Sequence, residues 1–332
     1  EGFTPKTRRE IDESMAFFNR YSPGINEEVQ GFADALGVPV EKVMYYTMTH
    51  FGKGHCSHFA VLPEVTTDHH MLVGRSYEWS MQDDFRLCTT RVKGMAAHLG
   101  FSLFLFGRID GMNEHGLSVT MSAGVPGSDP RNEGCRFWAV IRTILDRCHT
   151  VDEALELLES IPIAFNMNLI FADKNGQAAL AEVACQNRAV KRIGPGSPEK
   201  FIHATNHYNL PEMIVHDQGR MWFSLLRYQA IAARLKKAIP NIDKEVYRKL
   251  LTDLMPEGVS AHHYSEWFGT LWSIIYDLTE GKAEISLGPP QVNPWRTFGL
   301  DDPIGKSIYT AKFPDVTADP AIWRKLAPGA CE

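Results

Sequence analysis

Cys56 is the residue in this sequence most suited to covalent chemistry, because it begins a strand-like run directly after a glycine-rich turn. Gly52 and Gly54 lie just before it in the segment Gly-Lys-Gly-His-Cys. Glycine lets the backbone adopt tight or strained geometry because it has no Cβ atom. A lone cysteine is most often a small core hydrophobe. The position therefore predicts a reactive thiol only if other functional groups meet it.

Two charged residues in the next strand-like run could meet that thiol. Arg75 and Glu78 follow Cys56 beyond a turn signal at Thr67-Asp68. Two antiparallel strands joined by that turn would bring both side chains back beside Cys56. A guanidinium there favours the thiolate, since an opposite charge stabilises the ionised form. A carboxylate there could orient an amine or the guanidinium. The alternative is a surface Arg–Glu pair, which contributes little.

The first 50 residues, which must present this segment, are predicted to be helical. Residues 6–19 form a charged, amphipathic stretch. Asn26 has the character of an N-cap, and Gly37 that of the glycine following a helix. Pro39 suits a first helical turn, so a third helix is expected from there to about Thr49.

From residue 56 onwards, strand-like runs alternate with helical patterns. Strands are expected at 56–62, 71–77, 101–106 and 117–122, and hairpins at 169–184 and 272–287. Helices are expected at 136–148, 151–160, 222–238 and 244–254. Hairpins in place of βαβ crossovers favour an α+β fold with antiparallel sheets. Two sheets that each bury one face, with helices over the other faces, predict a four-layer αββα sandwich.

Composition excludes several classes of function. The chain has 332 residues, 22% of them charged, and a net charge of −6. No basic block is present, which argues against a nucleic-acid partner. The most apolar stretch, 99–106, is far shorter than the ~20 residues that span a bilayer. A homo-oligomer remains possible. The first residues lack a signal-peptide pattern, and without an initiator Met a removed leader remains open.

Neither the cysteines nor the histidines predict a metal or cofactor. The six cysteines are scattered without a CxxC pair, which indicates a reducing, cytoplasmic setting and no disulfide framework. Histidines cluster at His69-His70, His203/His207 and His262-His263. They lack the HExxH or Cys/His spacing of a metal site, so we expect surface or packing histidines.

The motifs around Cys56 resemble those of a known family. Cys-Ser at 56–57 and Gly-Arg-Ser-Tyr-Glu-Trp at 74–79 are similar to the Cys-Thr/Ser … Gly-Arg-Asn-x-Asp-Trp signature of the choloylglycine hydrolase and penicillin V acylase group. The chain resembles more closely the acyl-CoA:6-aminopenicillanate acyltransferase branch of that group. Further matches are the helical segment 26–44, Asp-Gly-Met-Asn-Glu-His-Gly-Leu at 110–117, Asn168 with 172–176 and Glu182, His-Ala-Thr-Asn-His-Tyr at 203–208, and Ser224 with Arg227.

The resemblance implies an N-terminal-nucleophile hydrolase with an αββα sandwich. Such precursors cut their own chain before the cysteine, whose freed α-amine becomes the general base. Carried over to this sequence, Cys56 is the nucleophile, Arg75 lies beside the thiol and Glu78 holds the amine. Asn206 would donate its side-chain amide to the oxyanion. Arg227 would stabilise the site or contact the substrate.

The sequence departs from the family pattern at three places. Glu78 stands where the family has Asp, and Ser76 where it has Asn. After Leu117, where the choloylglycine branch carries an oxyanion-hole Asn, this chain has Ser122, Ala123 and Gly124. A backbone N–H remains available there for the oxyanion.

The sequence thus predicts a cysteine amidase or acyltransferase that forms a Cys56 thioester from a linear small-molecule amide. Residues 1–55 would be a helical pro-region and residues 56–332 the catalytic domain, with the bond between His55 and Cys56 cut by the protein itself. The pro-region helices are expected to stay bound after cleavage. Two alternatives remain: a catalytically idle binding protein of the same fold, and a cysteine peptidase that uses His207 as its base.

Overall fold

The computed structural model describes residues 3–48, 55–81, 86–102, 106–124, 134–217 and 219–330. The helices in these ranges are α1 (Pro5–Tyr21), α2 (Ile25–Leu36), α3 (Val40–Met48), α4 (Phe137–Arg147), α5 (Val151–Ser160), α6 (Pro211–Ile214), α7 (Trp222–Ala238) and α8 (Lys244–Thr252). The strands are β1 (His55–Val61), β2 (Leu72–Trp79), β3 (Arg86–Thr90), β4 (His98–Ser102), β5 (Asp110–Asn113), β6 (Leu117–Ala123), β7 (Asn166–Asp173), β8 (Ala178–Ala184), β9 (Asn187–Ile193), β10 (Phe201–Ala204), β11 (His262–His263), β12 (Phe268–Asp277), β13 (Lys282–Leu287) and β14 (Trp295–Gly299).

The N-terminal helices form as predicted, but Asn26 is not an N-cap. Helix α2 begins two residues earlier than an N-cap at Asn26 predicts, after Gly24, whose φ of 100° suits the left-handed region that glycine tolerates. Asn26 instead lies in the first turn and donates from its side chain to the carbonyl of Met15 and to Asn19. It therefore joins α2 to α1. The predicted end of α3 at Thr49 and the two glycines before Cys56 lie outside the described residues.

Helices α1–α3 pack on the rest of the chain through both apolar and charged contacts. Phe18 of α1 and Val29 of α2 belong to the main hydrophobic core. Glu28 accepts hydrogen bonds from two guanidinium nitrogens of Arg142 on α4, at 2.6 and 3.3 Å. Arg142 also pairs with Asp146 at 2.7 Å. A bidentate charged pair of this kind is stronger and more directional than a neutral hydrogen bond.

The first sheet places β1 in its interior, between β10 and β2. Its antiparallel order is β10-β1-β2-β12-β13-β14, with β11 paired to β12. All residues of β1 after His55 are buried. Strand β2 is flanked by β1 on one side and β12 on the other. Residues on these central strands are therefore held from both sides and shielded from solvent.

The second sheet is also antiparallel and runs in simple order from β3 to β9. It corrects two sequence expectations. The predicted strand at 101–106 is the strand His98–Ser102 in the described residues, and the predicted turn at 111–116 begins as β5. Gly111 allows this, because a Cβ there would lie 2.7 Å from both the carbonyl of Leu99 and the side chain of Leu145. The turn preference of these residues is thus outweighed by close packing between neighbouring elements.

The two sheets stack face to face and helices cover their outer sides. Strands β1 and β10 contact β6, β7 and β8 across the interface, while α7 and α8 lie on the first sheet and α4 and α5 on the second. The predicted αββα sandwich is confirmed. No helix within the described ranges has the length and apolar character needed to cross a bilayer.

Candidate active site

Cys56 lies near the start of β1, where the register of the neighbouring strand fixes its surroundings. Cys56 pairs with Tyr77 and His55 with Glu78, while Arg75 pairs with His58. The prediction that an antiparallel pair brings Arg75 and Glu78 back to Cys56 therefore matches the observed register. The thiol is buried, with 1% of the residue exposed.

Arg75 reaches the thiol and is itself held by an unpredicted carboxylate. Its Nη2 atom lies 3.5 Å from Cys56 Sγ. Its Nε atom pairs with Asp110 of β5, and its Nη1 atom donates to the carbonyl of Met121. Asp110 also accepts from Tyr276 at 2.9 Å. The second sheet thus fixes the guanidinium that faces Cys56 on the first.

Asn206, in the loop after β10, binds the nitrogen of the candidate nucleophile. Its Oδ1 atom accepts from the Cys56 backbone N–H at 3.0 Å, and its Nδ2 atom donates to the carbonyl of Ala123 at 2.9 Å. Its own backbone N–H donates to Ser224 Oγ on α7 at 2.8 Å. The carbonyl oxygen of this amide therefore faces Cys56, while its N–H group points to Ala123.

Arg227 on α7 joins the remaining predicted residues. It donates to Asn206 Oδ1 at 2.8 Å and to Ser57 Oγ at 2.9 Å, and it approaches Glu78 at 3.5 Å. Glu78 also accepts from Ser76 and from Thr270. All five residues predicted for the site lie in one cluster, in which Asn206 is half-buried and the other four are buried. Glu78 bonds Arg227 and the hydroxyls of Ser76 and Thr270, whereas the Cys56 nitrogen bonds Asn206.

Burial dominates the electrostatics of the cluster. It raises the pKa of Cys56 to about 11, although Arg75 lowers that pKa and is the largest opposing influence. It also raises the pKa of Glu78 to about 7, against the pull of Arg227. In the uncut chain the thiol is therefore protonated near neutral pH. A nucleophile in this site needs a base to remove its proton.

We expect Arg75→Ala to raise the pKa of Cys56 and to slow its alkylation near neutral pH. An adjacent cation lowers a thiol pKa by about 1 unit or more, so the curve of iodoacetamide labelling rate against pH should move up by at least that amount. Mass spectrometry of the Cys56 peptide measures the rate, and labelling of Cys185 in the same samples is the internal control. Arg75→Lys, which keeps the charge, should shift the curve less. Superimposed wild-type and Arg75→Ala curves would contradict a role for Arg75 beside the thiol.

His207, the base in the alternative of a cysteine peptidase, bonds hydroxyl groups. His207 Nδ1 lies 2.8 Å from Ser224 Oγ, and burial lowers its pKa well below the usual value.

Among the described residues one group could supply three metal ligands: Asp68, His70 and Asp277. Lys244 already bonds Asp277 there at 2.7 Å. This group lies at the ends of β2 and β12 far from His55, because Leu72 pairs with Asp277 and Glu78 with His55.

Sequence reasoning missed three supporting residues. Asp110 fixes Arg75, Ser57 binds Arg227, and Ser224 holds the backbone of Asn206. Each lies in one of the sequence motifs that resemble the family, but the spacing of those motifs does not indicate which residue it contacts. The departure at Ser76 also has a structural consequence, since its hydroxyl donates to the longer Glu78 carboxylate. The five cysteines that the structure describes form no disulfide with one another.

Comparisons with known proteins agree with this architecture. A family model described as "Acyl-coenzyme A:6-aminopenicillanic acid acyl-transferase" matches residues 65–291. No curated protein matches significantly. The solved structure of a Caenorhabditis elegans N-acylethanolamine-hydrolyzing acid amidase ortholog is 16% identical over 68% of this chain and 93% of that chain, with a TM-score of 0.50. A variant of the conjugated bile acid hydrolase of Clostridium perfringens is 13% identical over 80% of this chain and 99% of that chain, also with a TM-score of 0.50.

Proposed function

Because the chain belongs to the acyl-coenzyme A:6-aminopenicillanic acid acyl-transferase family, we propose that it is a cysteine N-terminal-nucleophile amidase or acyltransferase. It takes the acyl group of a linear small-molecule amide onto Cys56 as a thioester. Water or an acceptor amine then receives that acyl group. The family match begins after Cys56, so the assignment of the nucleophile depends on the geometry around it.

The observation that carries the proposal is the connected cluster around Cys56. A guanidinium lies 3.5 Å from the sulfur, and an amide oxygen lies 3.0 Å from the nitrogen of the same residue. An N-terminal nucleophile needs both atoms placed, because its α-amine is the base for its own thiol. A free α-amine has a pKa of ~7.7–8.0 and is partly neutral near pH 7. No histidine base is then required.

Maturation would generate that amine. The Cys56 thiol attacks the carbonyl carbon of His55, the S–C bond forms, the C–N bond breaks, and the thiol proton goes to the Cys56 nitrogen. Water then cleaves the thioester, leaving a carboxylate on His55 and a thiol on Cys56. Residues 1–55 become the pro-region and residues 56–332 the catalytic domain. Asn206 Oδ1, already on this nitrogen, is positioned to accept from the new amine.

The other cluster members have distinct proposed roles in turnover. Arg75 favours the thiolate, and Asp110 keeps Arg75 in place. Asn206 donates its amide N–H to the oxyanion, which requires that group to leave the carbonyl of Ala123. Glu78 lies opposite His55 in the strand register, next to the residue whose nitrogen becomes the amine. Its carboxylate holds that amine after cleavage. Arg227 connects Glu78 with Asn206.

Trapping of the acyl-enzyme tests this function. The processed protein should release the amine from N-acyl amides of a fluorescent amine, and intact mass should show the acyl mass on the fragment 56–332. Added hydroxylamine should yield an acyl hydroxamate, which reports transfer to an acceptor other than water. Cys185→Ala is the matched control and should retain both signals. Stoichiometric substrate binding without any acyl adduct or released amine would instead identify an idle binding protein.

A further inference from the structure

The side chain of His55 occupies an aromatic cage beside the candidate scissile bond. Its ring meets Phe223 edge to face, with centroids 4.7 Å apart, and meets Phe268 in the same way at 5.2 Å. The indole of Trp79 lies 5.8 Å away. Phe223 and Phe268 are buried and come from α7 and β12. The cage is therefore built from three separate elements that close around one ring.

The cage continues into a small apolar cluster and is bounded by a cation. Trp323 packs on Phe223 and Phe268 at 5.5 and 5.7 Å. The guanidinium of Arg227 lies 5.4 Å from the centroids of the same two phenylalanines. Burial, and then Arg227, lower the pKa of His55 to about 3, so the ring in this cage is neutral. The cage thus suits an uncharged, flat group.

This side chain is attached to the carbon that Cys56 would attack. In maturation the acyl carbon bound to Sγ is the carbonyl carbon of His55. In turnover it is the carbonyl carbon of the substrate, while the substrate C–N bond breaks and the thiol proton reaches the leaving amine through the α-amine of Cys56. Both thioesters place an acyl carbon on the same sulfur within the same walls. The group carried by His55 therefore marks where the acyl group of a substrate lies once the new end of fragment 1–55 has left the cage, while the helices of that fragment stay bound.

We infer that the aromatic cage of Trp79, Phe223 and Phe268 is the acyl pocket, and that the preferred substrates are amides of uncharged 3-arylpropanoic acids. The ring of His55 stands two carbons from its carbonyl carbon, which sets this chain length. Edge-to-face packing adds attraction beyond area burial for an aromatic ring but not for an alkyl chain. This inference rests on the proposed function, since it assumes attack by Cys56 on an acyl carbon.

A series of amides of one fluorescent amine tests the chain length and the ring. The acyl groups are benzoyl, phenylacetyl, 3-phenylpropanoyl, 4-phenylbutanoyl and nonanoyl, the last having the same carbon count as 3-phenylpropanoyl. We expect kcat/KM to peak at 3-phenylpropanoyl and to exceed the nonanoyl value by about tenfold, the factor that one aromatic contact supplies. Turnover of nonanoyl at an equal or higher kcat/KM would overturn the inference while leaving the proposed amidase intact.

A matched pair of variants separates the pocket from general packing. Phe268→Leu should reduce the ratio of 3-phenylpropanoyl to nonanoyl kcat/KM by several-fold, because it removes one aromatic wall. Phe171→Leu changes a buried phenylalanine in the main core, outside the cluster that holds Phe223 and Phe268. Its ratio should stay at the wild-type value. An unchanged ratio in Phe268→Leu would remove this residue from the acyl pocket.

Maturation gives a readout that does not depend on finding a substrate. His55→Phe keeps a neutral ring two carbons from the carbonyl, so its chain should be cut at a rate near that of wild type. His55→Lys brings a cation beside Arg227 and should be cut at least about tenfold more slowly, since burying an unpaired charge is costly. Equal rates for the two variants would contradict the cage. Failure of wild type to be cut and to turn over any amide would reject the proposed function itself.

Discussion

Cys56→Ala is expected to purify as one uncut chain without amidase activity, whereas wild type separates into fragments 1–55 and 56–332. The variant lacks the sulfur that would attack the carbonyl of His55 and later hold the acyl group. Intact-mass analysis under denaturing conditions reports the cleavage, and release of a fluorescent amine reports turnover. Since alanine is smaller than cysteine and the site is buried, folding should persist, and circular dichroism checks it.

Two comparisons make this result specific. Cys185→Ala removes another thiol that is outside any disulfide and should cleave and turn over like wild type. Cys56→Ser should lose acylation activity, because a hydroxyl is less readily activated than a thiol. A fully active wild-type protein with an intact bond between residues 55 and 56 would reject the N-terminal-nucleophile mechanism. A side-chain base such as His207 would then need to be tested.

The same experiment reports the fate of the pro-region. Under native conditions fragment 1–55 should co-elute with fragment 56–332 on size exclusion. Phe18 and Val29 are buried in the main core, and Glu28 binds Arg142 through two hydrogen bonds. Losing the fragment would leave Arg142 with one fewer carboxylate partner in a largely buried position, which is costly.

Asn206→Ala is expected to lower kcat by about 10²–10³-fold with a smaller change in KM, because an oxyanion donor acts mainly in the transition state. The structure adds a reason to compare it with Asn206→Asp. The Oδ1 atom of Asn206 faces the Cys56 nitrogen and its Nδ2 atom faces Ala123. Aspartate keeps an acceptor for the amine but has no N–H to donate. If the side-chain N–H of Asn206 stabilises the oxyanion, both variants should lose kcat to a similar extent.

Rates for both Asn206 variants must be referred to the cleaved fraction, which intact mass provides. Ser118→Ala is a suitable control, since Ser118 is a buried polar residue of the second sheet that is not part of the cluster around Cys56. It should retain kcat. Near-normal kcat in Asn206→Asp beside a large loss in Asn206→Ala would assign Asn206 to holding the amine and leave the oxyanion to a backbone N–H. Normal kcat in both variants would remove Asn206 from the site.

The sequence by itself determined the local features of this protein, which depend on residues close together in the chain. Turn signals and strand composition predicted the pair β1–β2, and antiparallel geometry then placed Arg75 and Glu78 near Cys56. Amphipathic patterns predicted α7, and with it the position of Arg227 on a helix. Motif order identified the family and all five residues that the fold gathers. Asn26 was wrongly predicted as an N-cap, because its side chain serves a contact between helices that local pattern does not encode.

Only the tertiary structure decided how the gathered side chains are connected. Arg75 is fixed by Asp110 because the two sheets stack, and the registers of β2 and β5 are set by different neighbours. Asn206 presents its oxygen to Cys56 because Ser224 and Ala123, from a helix and the opposite sheet, hold its other polar groups. The aromatic cage of His55 likewise combines three elements. Sequence spacing fixes which residues share a strand or a helix, whereas contacts between distant elements depend on how the layers pack.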